Sequence, residues 1–391
     1  MTRYVVHLFG LSLLTVSLAG ACAAPSAPPA PAPVGSRPQP AGAAGPTTAV
    51  VSPPPAPASA SEAPTPYRLP ARPDRPVARV TVGVIGTTSD VIFYLAEEKG
   101  YFEHMRIEPV FERFDSGGRM TASLATGQID VGGGTPSVGL YNSIARGVNI
   151  KMVADRASST EGHDTWNFVA RKDLLDSGAL RDWADLRGRK IALAARGITS
   201  EVLIGLAGER GGFTLNDVEI VELSYPDTVV ALGTKAIDLG ITPEPYPSIA
   251  EQRGVGAKWR GNQELAPNQV ASVIMYGAPF FEQRPDIARD FMVVYLLGAR
   301  HYNDAFMKQQ PQALAEARDT LARRTELKDP DLLQRIQPGY IDPNGRLDRA
   351  ALRRDYEWFR EHAGLNAELD LDQIIDSSFA DYAVSLLGEY R

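Results

Sequence analysis

One short phrase occurs twice in this chain. Leu124-Ala125-Thr126-Gly127-Gln128-Ile129-Asp130-Val131-Gly132 returns 108 positions later as Leu232-Gly233-Thr234-Lys235-Ala236-Ile237-Asp238-Leu239-Gly240. Both fit L-x-T-x-x-I-D-[VL]-G. Each copy closes an amphipathic helix, turns, and enters a short apolar strand that runs into a Gly- or Pro-rich loop and a further helix. Solenoid units repeat every ~20–50 residues, so this spacing predicts two similar α/β lobes within one protein. Lobes that face each other enclose a cleft, and clefts are where small ligands bind. Any helix-to-strand turn favours the same residue types, so the reading requires the two copies to fall in separate sheets.

The hydrophobic pattern supports alternation of strand and helix on either side of each copy. Residues 78–86 alternate as a strand, Thr87-Thr88-Ser89-Asp90 forms an N-cap cluster, and 91–99 is helical up to Gly100. Strands follow at 107–114, in the first copy and at 150–154. The scheme restarts with strands at 190–194, at 218–223 and in the second copy. The fold class is therefore α/β, each lobe a mostly parallel sheet flanked by helices. Extended stretches at 166–171 and 269–276 are the natural crossings between lobes. This places lobe 1 at 77–165 plus 277–391 and lobe 2 at 166–276. The amphipathic helices at 287–306 and 348–362 are expected to pack on the first lobe and the hinge.

The N-terminus reads as an export signal. Arg3 precedes an apolar run at 4–18 and the small residues Ala19-Gly20-Ala21 before Cys22. The run is short for a membrane span, which needs about 20 apolar residues. Cys22 is the chain's single cysteine, so no intramolecular disulfide is available. The tract resembles the lipobox of bacterial lipoproteins, although Ala19 stands where such boxes usually carry Leu. Cys22 is the candidate lipidation site; an ordinary cleavage nearby is the alternative. Residues 23–76 are rich in Pro and Ala and nearly free of large apolar side chains, so they form a disordered tether. The net charge of −7 and the dispersed arginines give no footprint for nucleic acid.

At these residues a family resemblance emerges. Tyr94-Leu95-Ala96-Glu97-Glu98-Lys99-Gly100-Tyr101-Phe102 and the A-x-G-Q-I-D block at 125–130 resemble solute-binding proteins of the nitrate/sulfonate/taurine and thiamine-precursor type. The Ala145-Arg146-Gly147 turn, the Glu244-Pro245-Tyr246 corner, Asp342-Pro343-Asn344-Gly345 and residues 376–379 are also similar to that family. The resemblance spans about 80–388. It implies a two-lobed, periplasmic-binding-protein-like clamshell of type II. It also implies an exported receptor of an ABC importer, with a small-molecule ligand and permease subunits as partners. With a lipidated Cys22 the protein would be held at the membrane, in the periplasm or on the outer face of the cytoplasmic membrane, as a monomer.

Ligands of open α/β sheets sit beyond the carboxyl ends of strands. The loops so placed supply Thr88, Ser89, Ser116, Gly134, Thr135, Ser137, Arg196, Thr199, Ser200, Tyr225 and Glu244. Several open helices, whose free N–H groups suit anions; singly, each Ser or Thr reads equally as an N-cap. Arg196, between a strand and a helix start, is the first candidate counter-charge for a small organic anion such as a sulfonate, a carboxylate or a heteroaromatic precursor. Arg156 is the second. Trp166 and Tyr225 can stack on a flat ligand or pack in the hinge, and Glu244 can bind a ligand amine or hold its lobe together. The Gly132-Gly133-Gly134 run lacks the companions of a nucleotide loop and suits a tight turn or a close approach of backbone to ligand. The five histidines have no metal-ligand spacing, and nothing calls for a cofactor. Enzymes on related folds use cysteines at the ligand, and this chain has none after Cys22, which argues for a receptor over an enzyme. A stalked surface sensor is the third reading.

Overall fold

Two five-stranded sheets divide the ten strands of the described residues. The computed structural model describes Leu69, Arg72 and residues 74–325 and 327–391; the signal-like segment, Cys22 and most of the tether lie outside the described residues. The strands are β1 (Ala78–Val84), β2 (Ile107–Arg113), β3 (Val131–Gly134), β4 (Ile150–Ser158), β5 (Asn167–Arg171), β6 (Lys190–Leu193), β7 (Glu219–Glu222), β8 (Leu239–Thr242), β9 (Gly256–Gly261) and β10 (Val270–Gly277). The first sheet runs β2-β1-β3-β10-β4 and the second β7-β6-β8-β5-β9. β1 pairs parallel with β2 and β3, as β6 does with β7 and β8. The one reversed strand of each sheet, β10 or β5, pairs antiparallel on both sides. Each reversed strand is the first that the chain makes after arriving from the other lobe. The architecture is the two-lobed α/β one.

The repeated phrase does the same work in both lobes. Its Asp carboxylate accepts a backbone N–H of the neighbouring parallel strand, Asp130 from Thr81 of β1 and Asp238 from Lys190 of β6, each at 2.9 Å. Its carbonyl accepts from the reversed strand, Asp130 from Gly277 and Asp238 from Arg171. An arginine pairs with each carboxylate, Arg284 with Asp130 and Arg171 with Asp238. Ile129 and Ile237 are buried beneath. Gly132 and Gly240 let the preceding helix lie on the strand, since an added Cβ would come within 2.9 Å of Leu124 and 2.2 Å of Thr228. Gly127 and Lys235 both take left-handed backbone, φ 74° and 61°, at the helix end.

Two boundaries shift from the sequence reading. Residues 270–277 do not belong with a second lobe ending at 276: they form β10, the wholly buried strand between β3 and β4. A strand covered on both faces reads as a continuous apolar run, which hid its membership. Residues 166–171 likewise contain β5 rather than a crossing. The chain changes sheet at 159–166 and 262–269. Asn262 joins these two segments: it exchanges hydrogen bonds with the Trp166 backbone, Ser159 Oγ and Gln269 Oε1. Gln269 Nε2 then donates to Thr199 O and Asp355.

The helix Pro285–Tyr302 packs against Val91–Glu98 and Ser378–Leu387 on the first sheet. Arg349–His362 touches both lobes. Its Tyr356 and Phe359 rings lie 5.1 and 6.4 Å from Tyr141 of the first lobe. Its Trp358 covers Gly205 of the second lobe so closely that a Cβ there would sit 2.3 Å from the ring. No helix among the described residues is long and apolar enough to cross a membrane.

Candidate functional site

The lobes meet through polar contacts between their strand-end loops. Thr88 N donates to Glu244 O at 3.2 Å, and Val138 N to Gly197 O at 2.9 Å. Tyr246 Oη donates to Gly86 O at 3.0 Å. Between these contacts lies a cavity of about 30 Å³, walled by both lobes. Of the sequence candidates, Thr88, Ser89, Thr135, Trp166, Tyr225 and Glu244 line it.

Arg156 forms the centre of the first-lobe wall. It extends from β4 across Gly133 of β3, where a Cβ would sit 2.4 Å from its Nε. The glycine run therefore accommodates the protein's own side chains: Gly132 admits Leu124, Gly133 admits Arg156, and Gly134 lies against Gly117. Arg156 Nη1 donates to Ser272 Oγ at 3.0 Å and Nη2 to Asp90. Asp90 also accepts the backbone N–H groups of Ile85, Gly86 and Thr87. The charge pair is thus closed within the wall, while Arg156 Nε is buried without a partner among the described residues.

Glu244 is its counterpart in the second lobe. The residue is 2% exposed. Its Oε1 accepts from Ser248 at 3.0 Å and pairs with Lys258 Nζ at 2.5 Å. Its Oε2 is buried without a partner among the described residues. Buried polar atoms left unpaired are costly, so this oxygen calls for a donor. Glu244 therefore holds its lobe together and also keeps an acceptor free.

The aromatic wall consists of Trp166 and Tyr225, with ring centroids 6.3 Å apart; Tyr246, 5.4 Å from Tyr225, stands behind it. Trp166 Nε1 donates to Thr199 Oγ1 at 3.3 Å, which fixes the indole. Burial pushes the Tyr225 phenol above its ordinary range, so it stays a neutral hydroxyl.

The remaining candidates lie outside this lining. Arg196 is half exposed and pairs with Glu201 at 2.9 Å, a carboxylate that also accepts Gly197 N–H. Its partner is thus the first turn of the helix Thr199–Gly211 rather than the cavity. Ser137 caps the Val138–Ala145 helix by accepting from Leu140 N. Gly134 packs on Gly117. Ser116 and Ser200 are buried, their hydroxyls without partners among the described residues. Thr87, in the same strand-end loop as Thr88 and Ser89, also lines the cavity, as do Ser272, Tyr302 and Gly339, which were not singled out from sequence. Tyr302 and Gly339, linked by a 2.7 Å hydrogen bond, come from C-terminal segments with no loop signature.

In overall structure the chain is similar to the ligand-binding component of an ABC-type import system from Staphylococcus aureus, solved with zinc bound. The TM-score is 0.64 at 15% identity, over 78% of this chain and 99% of that one. It is also similar to the alkanesulfonate-binding protein SsuA from Xanthomonas axonopodis pv. citri, bound to MOPS. Here the TM-score is 0.61 at 16% identity, over 77% and 99% of the two chains. At such identities the likeness speaks for the fold, which is that of periplasmic binding proteins. In sequence, a binding protein of Brucella abortus (strain 2308) is 25% identical over 171 residues, 40% of this chain and 47% of that protein. The chain spans about half the length of the curated relatives it matches. The sequence pattern of the NMT1-like family covers residues 74–318, more than half of the chain, and the chain belongs to that family.

Proposed function

We propose that this protein is the solute-capturing component of an ABC importer and binds a small, flat organic molecule between its lobes. One observation carries the reading. Arg156 and Glu244 wall a single cavity from opposite lobes, and each keeps one buried polar atom unpaired. A ligand with an acceptor or anionic group toward Arg156, Thr88 and Thr135, and an N–H or O–H toward Glu244, would complete both. Trp166 and Tyr225 would cover its faces. The arginine of this site is Arg156 rather than Arg196.

The cavity of about 30 Å³ has room for little more than water. A solute therefore enters by spreading the lobes about the segments that Asn262 joins. The lining contains neither Cys nor His, which disfavours thiol or imidazole catalysis. In this account Cys22 is lipidated and the Pro/Ala-rich arm tethers the head near a permease. The experiment is ligand identification by native mass spectrometry, followed by calorimetry on Glu244→Gln. Loss of tenfold or more in affinity supports the reading, and a change under twofold opposes it.

A further inference from the structure

A second and much larger cavity spans the same two lobes. It measures about 530 Å³, within the ~300–1,000 Å³ range of small-molecule sites. Thr87 lines both cavities. One side is formed by first-lobe residues of the Val91–Glu98 helix, the end of β2 and the connection between the helices Pro311–Arg324 and Pro330–Arg335. The other side is formed by the second-lobe helices Tyr225–Gly233 and Tyr246–Gln252. Gln252 hydrogen-bonds Asp329 and so ties the two sides together.

The chamber's chemistry is two-sided. Val229, Val230, Ile249, Leu327 and Leu332 give it apolar walls. Val230 is 55% exposed and lies on the chamber wall. The rim is cationic, with Arg113, Arg253, Arg324 and Lys328. Arg324 pairs with Glu97 and lies 4.9 Å over the Tyr94 ring, and Lys328 donates to Ala322 O. Arg113 and Arg253 are exposed and have no carboxylate within ion-pair distance among the described residues. Arg113 is held against Gly86, where a Cβ would come within 2.7 Å of its guanidinium. The chamber's two acids are engaged, Asp90 by Arg156 and Asp329 by Gln252 and two backbone N–H groups.

We propose that this outer chamber is a binding site for an organic anion with an apolar body, an aryl or branched alkyl sulfonate or carboxylate. The apolar part lies between Val230, Ile249 and Leu327, and the charged group meets Arg113 and Arg253, whose planar donors suit such oxyanions. Because both lobes build the chamber, an occupant favours the closed arrangement. The site is distinct from the inner cavity and does not depend on the identity of the solute bound there.

The probe is 4-bromobenzenesulfonate, applied to the folded head. Calorimetry on the wild type, Arg113→Glu/Arg253→Glu and Trp166→Phe is combined with bromine anomalous scattering from a crystal of the complex. Both arginines are exposed, so the double variant should retain the wild-type circular dichroism. The expected result is a bromine peak beside Val230, at least tenfold weaker binding in the double variant and less than twofold change in Trp166→Phe. Absence of binding by the wild type at millimolar probe, a double variant within twofold of wild type, or a bromine peak beside Trp166 would each overturn the proposal. Failure to find a natural solute in the inner cavity would leave these outcomes unchanged.

Discussion

Arg156 of β4 and Asp90 at the start of the Val91–Glu98 helix form an ion pair in which each side chain is 1% exposed. Such a pair survives burial only when its remaining donors and acceptors are occupied. Asp90 meets that condition with three backbone N–H groups. Arg156 meets it in part, through Ser272. Asp90→Ala strands the guanidinium and should destabilise the head by about 3–5 kcal/mol. Arg156→Met with Asp90→Asn should recover most of that loss, because the amide oxygen can still accept the backbone N–H groups. Urea denaturation of the three proteins measures both effects, and equal stability of Asp90→Ala and wild type would refute the pair's importance.

The repeat predicts an asymmetry between its copies. Gly127 and Lys235 occupy equivalent left-handed positions, but a side chain there is strained by ~1–2 kcal/mol, partly offset by glycine's larger entropy loss. Lys235→Gly should therefore raise stability by about 0.5–1 kcal/mol. The exposed contact of Lys235 with Asp173 contributes little. Gly127→Lys should have the opposite effect. A thermal melt that moves the same way for both substitutions would contradict the equivalence.

The two-lobe fold was legible in the sequence because its signals are local. The Ile-Asp-aliphatic-Gly phrase marks a helix end, a latch onto the neighbouring parallel strand and a close packing point, all within nine residues. Much of the inner cavity was legible for the same reason: Thr88, Ser89, Thr135, Tyr225 and Glu244 stand just after strands. The choice between Arg196 and Arg156 was not legible. It depends on Glu201 of the following helix, which pairs with Arg196, and on the reach of Arg156 from β4 past β10, which lays it over Gly133 of β3. Tyr302 and Gly339 reach the cavity from far along the chain, and no local pattern announces them.

Asp155 should make stability depend on pH. Its carboxyl is buried between Ser158 and the Asp342 backbone N–H, and burial pushes it up to about 7. An unfolded Asp titrates near ~3.9. The folded state therefore holds the proton more tightly, and its stabilising contribution is complete below about pH 4 and is lost as pH rises to about 7. The full span is worth about 4 kcal/mol at most. Asp155→Asn, which can keep both hydrogen bonds, should be more stable than wild type at pH 8, with the advantage shrinking toward pH 4. Parallel stability curves for the two proteins between pH 4 and 8 would contradict this.

Asn262 should control how the lobes move. It is fully buried and joins both crossing segments. Asn262→Ala removes several buried hydrogen bonds and leaves Ser159 and Gln269 short of partners, at a cost of about 1–3 kcal/mol. Small-angle scattering should show a larger radius of gyration, as the lobes spread more readily. An unchanged scattering profile would mean that the crossings are held by other contacts.

The proposed membrane tether is tested at Cys22. Metabolic labelling with palmitate should mark the wild type and leave Cys22→Ala unmarked and released from the membrane fraction. Equal labelling of the two would place the modification elsewhere.

The central claim is that a small organic solute is captured between Arg156 and Glu244. It is tested most directly by native mass spectrometry of the protein purified from its own cell envelope without refolding. A noncovalent organic adduct is expected in the wild type and not in Glu244→Gln. A wild type that carries no adduct, and binds none from a panel of small sulfonates, carboxylates and amino-heteroaromatics, would contradict it.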